Sequence, residues 1–585
     1  MTTLVSALDH HTPAQYGENG HKEYGWSHDT QELILQLSFQ LTRTKDPQIL
    51  TEKYRELLYR VFNTPTPQRN EYLSILYRMM LQTRDVVAGK GEYGLFYVLL
   101  GEWVRFAHSN NNEFAHNLSF AALKSLVELD NFPHAYGSWK DFKYFLKHLH
   151  DNVATETQKK ECTTWPIFKY AIEVMILQLR KDAELASSNQ PGVTLLAKWL
   201  PREKSKKFGW IGRLIACEYF KEWIQESTHN SQAVKKCVTH YRILIANINK
   251  HLKTVQINQC NKTWRYIDFG KSATSITIAL QKRAFQYVNK RGVVRGTDED
   301  RLACKKNFEE YVESCKTGEK TMKGGRVGIN DLIKEALQII SHKGGSPQGT
   351  DVDTLNLQWK EQGKQIGQLD NFIAMVDTSG SMECDGGNPL YAAIGLGCRV
   401  AEKSKLGKRV LTFSATPTWV NLEPYPELID MVSVLKRSAW GMNTNFVSAL
   451  KLIIDACIER DLAPDEVKDL ALVVFSDMQI DVADNNSNSM YETIQQMFRE
   501  GGMRTSHRKP YTPAHIVFWN LRSTGGSPSL STTKNVSMLS GFSPALLNGF
   551  CEKGISALED YSPWKMFMDG LDHERYAWAK TITLV

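Results

Sequence analysis

The sequence predicts a multidomain protein: an N-terminal all-α helical-repeat array followed by a doubly wound α/β domain. Three observations carry this. The chain has 585 residues, more than one hydrophobic core accommodates. Up to residue 341, apolar side chains recur at helical spacing and almost nothing reads as a strand. From residue 371 onward, short apolar runs alternate with helical patterns, the signature of βαβ units and a largely parallel sheet.

The divisions that follow are a flexible arm over residues 1–27, a helical-repeat domain over 28–341, a linker over 342–370 and the α/β domain over 371–585. The first 27 residues are polar and rich in turn formers. Leu33, Ile34, Leu37 and Leu41 then share one helical face, with Ser27 or Asp29 as cap, and Tyr54, Leu57, Leu58 and Val61 share the next. Further helical periods cover 72–84, 95–107, 117–129, 138–150, 165–185, 209–226, 231–252, 274–290 and 330–341. Short loops between this many amphipathic helices suggest stacked pairs in the manner of a HEAT-like α-solenoid, and the absence of a strict period keeps a compact irregular helical domain open. The His342-Lys-Gly-Gly-Ser-Pro-Gln-Gly stretch reads as linker, because Gly, Ser and Pro do not sustain a packed element.

In the last part, strands are predicted at 372–376, 409–413, 418–422, 471–475, 515–521 and 536–539. Helices are predicted at 389–404, 426–437, 445–460, 490–500 and 544–552. The four residues between 413 and 418 permit only an antiparallel pair there, so one edge hairpin is expected.

Two apolar runs end in a carboxylate. Phe372-Ile-Ala-Met-Val-Asp377-Thr-Ser379-Gly-Ser381 is one, and Val473-Val-Phe-Ser-Asp477 is the other. Thr444 stands in a loop that enters a helix. In a parallel sheet these strand ends open at one edge, where such folds place ligands. Three hydroxyls and two carboxylates are hard oxygen donors that suit octahedral Mg²⁺ (or Mn²⁺), with a position left for an incoming carboxylate or phosphate oxygen.

Charge is uneven. From residue 371 on there are 20 Lys+Arg against 24 Asp+Glu, which leaves 51 against 40 before it and a total of +7. A basic front hints at a polyanion, or is an ordinary solvated surface. Its densest cluster is Arg202, Lys204, Lys206 and Lys207, with Trp210 available for stacking. Lys316, Lys320, Lys323 and Arg326 make a second. Arg84, Asp85, Lys90 and Glu92 read as loop-anchoring ion pairs, and Trp139, Trp199 and Trp264 as core aromatics.

Ten scattered cysteines without a CxxC pair argue against structural zinc and a disulfide framework, and point to a reducing compartment. No apolar run reaches transmembrane length and the first 17 residues lack a signal pattern, so an intracellular, mainly cytoplasmic protein is expected, or a virion protein if its source is viral. No P-loop, HExxH, Rossmann glycine pattern or G-x-S-x-G is present, and Ser379 stands where a phosphoaspartyl transferase needs its second acid. No enzyme and no small-molecule substrate are expected.

Asp377-x-Ser379-x-Ser381, Thr444 and Asp477 resemble the metal-ion-dependent adhesion site of von Willebrand factor A domains, with strand order agreeing over roughly 371–560. The polar stretch 481–488 departs from that pattern. Arg84-Asp85 with Gly89-Lys-Gly-Glu92, Tyr136-Gly-Ser-Trp139-Lys-Asp141, Ala197-Lys-Trp199-Leu-Pro201, Tyr241-Arg-Ile-Leu-Ile, Trp264 and Ile267-Asp268 resemble a sparsely characterised eukaryotic and giant-virus family. That family joins a long helical region to a von Willebrand factor A-like domain. The architecture is also similar to the Ro ribonucleoprotein autoantigen, in which a TROVE ring of helical repeats meets the same kind of domain. What these resemblances imply is a binding protein whose front holds structured RNA, a ribonucleoprotein or another polyanion. The metal site would capture an acidic residue of a protein partner. A protein-assembly scaffold without nucleic acid is the alternative.

Overall fold

Two sheets appear in the computed structural model, which describes residues 12–226, 230–289, 291–343, 349–438, 441, 444–479, 489–512, 515–551, 558 and 561–580. β1 (Ala14–Tyr16) and β2 (Lys22–Tyr24) form an antiparallel hairpin. The second sheet holds β3 (Phe372–Asp377), β4 (Arg409–Phe413), β5 (Thr418–Asn421), β6 (Ala471–Ser476), β7 (Ile516–Asn520) and β8 (Val536–Ser540). Their order is β5-β4-β3-β6-β7-β8, all parallel except the β4–β5 edge pair. Every residue of β3, β6 and β7 is buried, which is why these runs are continuously apolar and do not alternate.

The chain forms two compact units, and their limits differ from the sequence-based division. One joins residues up to Leu95 with Met322–Thr583, and the other is Phe96–Thr321. The helices Thr30–Gln40, Gln48–Phe62 and Gln68–Arg84 therefore belong with the sheet, not with the later helices. The reason lies in their burial. Glu32 through Gln40 are all buried, and a helix covered on every side needs more than one neighbouring helix. Asn520 Nδ2 donates to Phe39 O (3.0 Å), Ser540 Oγ to Ser38 O (2.8 Å) and Gln40 Nε2 to Gly526 O (2.6 Å). The Arg84–Glu92 motif forms the joint. Asp85 accepts from Arg575 Nε and Nη2 (2.7 and 2.8 Å) and from the Tyr576 hydroxyl (3.0 Å). Glu92 accepts from Arg43 at 3.0 and 2.9 Å. Lys90 Nζ is buried and donates to Ser38 O, Leu41 O and Ser540 Oγ.

Two further expectations are corrected. The arm over 1–27 is, from residue 12, the β1–β2 hairpin with attachments to the sheet's unit, among them the paired backbone bonds between Tyr24 and Ser527. Its strands are too short for any periodicity to announce them. The linker over 342–370 contains the helix Thr350–Gly363, whose Val352, Leu355 and Trp359 are buried. That spacing follows a helical face, so burial of this face outweighs the breakers before it.

The second unit is built from helices. Among the described residues of 96–321 there is no β-strand. Pro166–Ser187 packs against Glu113–Lys124, Gly209–Tyr219 and Asn230–His251. Lys140–His148, Ser275–Phe285, Glu299–Lys316 and, from Phe96 on, the helix Tyr93–Ser109 complete its longer elements.

Candidate functional site

β3 and β6 are adjacent and parallel, with Val376 beside Phe475, so Asp377 and Asp477 leave the sheet at the same edge. Both are fully buried. Asp377 Oδ1 accepts from the Ser379 backbone N–H (2.9 Å), and Oδ2 from Ser476 Oγ (2.6 Å). The Ser379 and Ser381 hydroxyl oxygens lie 3.1 Å apart. Ser381 sits in a short 3₁₀ turn, Gly380–Glu383, and Asp385, Gly386 and Gly387 then take positive φ (51°, 75° and 81°). Two glycines make that left-handed turn affordable and let the chain enter its helix near Pro389, as expected.

Thr444 is buried just before the helix Phe446–Glu459, which Asn445 caps by accepting from Ser448 N (3.0 Å). Asn445 N donates to Ser414 O at the end of β4 (3.0 Å), and Gly441 forms a parallel bridge with Ser379. All five oxygen-bearing residues therefore belong to the carboxyl edge of the sheet. Trp440, Met442 and Asn443 of this loop, and the stretch 481–488, lie outside the described residues.

Burial, and next the Asp477 carboxylate, push the Asp377 carboxyl above the ordinary carboxylate range. The hydrogen bonds from Ser379 and Ser476 oppose them. Two carboxylates held in the protein interior call for positive charge. Among the described residues, the cation in contact is Arg522, whose Nε donates to Asp477 Oδ2 at 3.0 Å. Its Nη1 and Nη2 donate to Glu18 in the hairpin loop (3.1 and 2.6 Å). Gln479 ties the same loop down, accepting from Glu18 N (2.5 Å) through Oε1 and from Asn19 Nδ2 (3.0 Å) through its carbonyl.

Sequence reasoning did not single out Ser476, Gln479, Arg522 or Glu18. Arg522 follows β7 much as Asp377 and Asp477 end β3 and β6, so its place at the edge was a usable signal. Glu18 is 504 positions away and gave none.

Residues 96–321 hold 35 Lys+Arg against 23 Asp+Glu, so the basic excess of the chain lies in the helical unit. Arg202, Lys204, Lys206 and Lys207 are exposed in one loop there. Trp210 is half-buried, 4.9 Å from His150 and 5.9 Å from Phe168 between ring centres. The second basic stretch is divided between the two units. Lys316, paired with Glu313 at 3.3 Å, and Lys320 belong to the helical unit. Lys323 and Arg326 belong to the other, where Arg326 Nη1 donates to Val86 O (2.6 Å). Trp139 packs on Phe142 (5.3 Å) and Trp264 lies under Arg301 (3.6 Å).

Among the described residues, no group of three or more His, Cys, Asp or Glu gathers as a metal cluster, and no helix is long and apolar enough to cross a membrane. The ten cysteines are free thiols. Residues 371–576 match a domain family described as a domain of unknown function, DUF7788, a span that runs from the start of β3 through Asp377, Thr444, Asp477 and Arg522 to Tyr576. The chain is also similar to the uncharacterized protein L728 of Acanthamoeba polyphaga mimivirus, 28% identical over 518 residues, which cover 86% of this chain and 80% of that protein.

Proposed function

We propose that this is a non-enzymatic binding protein. Its von Willebrand factor A-like domain holds Mg²⁺ (or Mn²⁺) with Asp377, Ser379, Ser381, Thr444 and Asp477. A HEAT-like helical array binds RNA, or a ribonucleoprotein, through its basic surface. The observation that carries the metal reading is the pair of fully buried carboxylates beside two hydroxyls 3.1 Å apart at one sheet edge. These are hard donors, and the Asp377 oxygens keep lone pairs beyond the two hydrogen bonds they accept. A divalent cation there would offset both the burial and the Asp477 charge that raise the Asp377 carboxyl. When bound, it supplies a Lewis-acidic position for an acidic side chain of a partner.

The test is thermal unfolding with and without millimolar Mg²⁺ or Mn²⁺. The intact chain is expected to melt a few degrees higher with the ion, and Asp377→Ala to lose that shift. No shift in the intact chain sinks the metal reading. A protein-assembly scaffold without nucleic acid would use the same metal edge, and RNA binding at low salt separates the two.

A further inference from the structure

One face of the helical unit gathers ammonium groups around aromatic rings. The loop 202–207 connects the short Leu196–Trp199 helix to Gly209–Tyr219. It is pinned from the helix Asn230–His251, where the Tyr241 hydroxyl donates to Pro201 O (3.0 Å) and Asn249 Nδ2 to Ala197 O (2.9 Å). Gly209 closes it: a Cβ there would lie 2.4 Å from Glu203 O, so only glycine permits this approach. The lysines of the loop are thus presented from a fixed backbone.

The helix Lys140–His148 supplies the rest. Lys143 Nζ donates to Trp199 O (2.7 Å) and stands 5.4 Å from the Trp199 ring and 5.5 Å from the Phe208 ring. Lys207 shares Phe208 at 5.6 Å and lies 5.8 Å from Tyr144, and Lys198 lies 5.6 Å from Trp199. Among the described residues, none of Lys143, Lys198, Lys204, Lys206, Lys207 and Arg202 has a carboxylate within ion-pair distance. The acids of the same segments are engaged elsewhere. Glu203 meets Arg242 (3.5 Å), and Asp141 accepts from the Tyr97 hydroxyl (2.5 Å) and Ser138 N (2.7 Å). Burial, and next Lys140, push the Lys143 ammonium down to about 8. Like charges collected and left without counter-charge are stabilised by a polyanion.

Resting on the RNA-binding reading above, we propose that this face, formed by Lys143, Lys198, Lys204, Lys206 and Lys207 around Tyr144, Trp199 and Phe208, binds the phosphate backbone of single-stranded RNA. Lysines presented singly act as point charges that follow phosphates, and the rings hold three of them, Lys143, Lys198 and Lys207, in place while offering apolar edges to the sugars and bases. Sequence preference is weak and salt dependence strong, as backbone contacts dictate.

Fluorescence anisotropy of the full chain with a labelled oligouridine of about 20 nucleotides, at roughly 50 and 200 mM salt, tests this. Lys204, Lys206 and Lys207 are exposed and without ion pairs among the described residues, so the triple variant K204Q/K206Q/K207Q is expected to keep its melting curve. It should bind the RNA at least about tenfold more weakly, with a salt slope shallower by about 2, since each single-strand phosphate contact contributes about 0.7. The corresponding triple arginine variant should bind like the unaltered chain. If the unaltered chain fails to bind RNA at low salt, this proposal falls together with the RNA reading. If it binds and the glutamine variant binds identically, the face is wrong and the RNA reading stands. Displacement of the RNA by polyglutamate at equal charge concentration would assign the face to an acidic protein and overturn the proposal.

Discussion

His515 stands just before β7, buried, with Nε2 2.6 Å from Ser537 Oγ. Burial pushes its imidazole down to about 4. A histidine whose folded value is depressed stays neutral in the native state while the unfolded chain takes up a proton, so the sign is fixed. The stabilisation is complete above about 6.5 and is lost as pH falls toward 4, an effect on the order of 3 kcal/mol. Thermal melts between pH 7 and 4 should show this loss, and His515→Gln should make the profile shallower in that window, while His148, also pushed down to about 4 by burial, keeps its share. A variant with the native slope would place the acid sensitivity elsewhere. The site residues differ in how legible they were at this scale. Asp377, Ser379, Ser381 and Asp477 announce themselves by chemical type after strands, and Thr444 by its place at a helix entry. Ser476 and Gln479 lie beside them in sequence, yet their roles depend on which way each side chain turns. Arg522 and Glu18 meet only after the chain has folded.

At the scale of elements, all six strands of the larger sheet were legible, because β3, β6 and β7 are buried on both faces and their apolar runs are uninterrupted. The helix Thr350–Gly363 was hidden by the glycines before it and by its polar residues, several of which are buried: Thr354, Asn356, Gln358 and Gln362. Its anchor is Trp359, which lies 3.5 Å beneath the Arg399 guanidinium and donates through Nε1 to Glu402 (2.9 Å). Arg399 in turn donates to Trp359 O (2.9 Å) and to Glu402 (2.7 Å). Trp359→Ala should therefore cost about 3–5 kcal/mol, through the cavity left behind and the loss of the ring beneath a buried guanidinium. Removing the exposed Lys364 at the same helix end should cost less than about 0.5 kcal/mol. Denaturant midpoints of the two variants measure the contrast, and equal midpoints would mean that the segment is the linker its glycines suggest.

For the whole molecule, order along the chain misleads about what folds with what. The α/β unit is discontinuous, with its N-terminal piece ending at Leu95 and its remainder resuming at Met322. A fragment of residues 371–585 would keep the six-stranded sheet and lose what completes it. Arg575 would lose Asp85, Asn520 would lose the Phe39 carbonyl, Ser540 would lose Ser38, and Asp572 would lose Arg78 (2.7 Å). The faces that Leu33, Ile34, Leu73, Leu76 and Tyr77 bury would be stripped as well, and Tyr77 packs edge-on to Trp578 at 5.9 Å. Each such side chain is worth about 1.5–3 kcal/mol when covered, so a handful is comparable to the entire stability of an ordinary domain. The fragment 371–585 alone is therefore expected to aggregate or to melt without cooperativity. Residues 12–95 joined to 322–585 through a flexible Gly/Ser linker in place of 96–321 should melt cooperatively. Calorimetry of the two decides it: a cooperative transition in 371–585 at the temperature of the joined form would show that the N-terminal helices decorate a domain already complete without them.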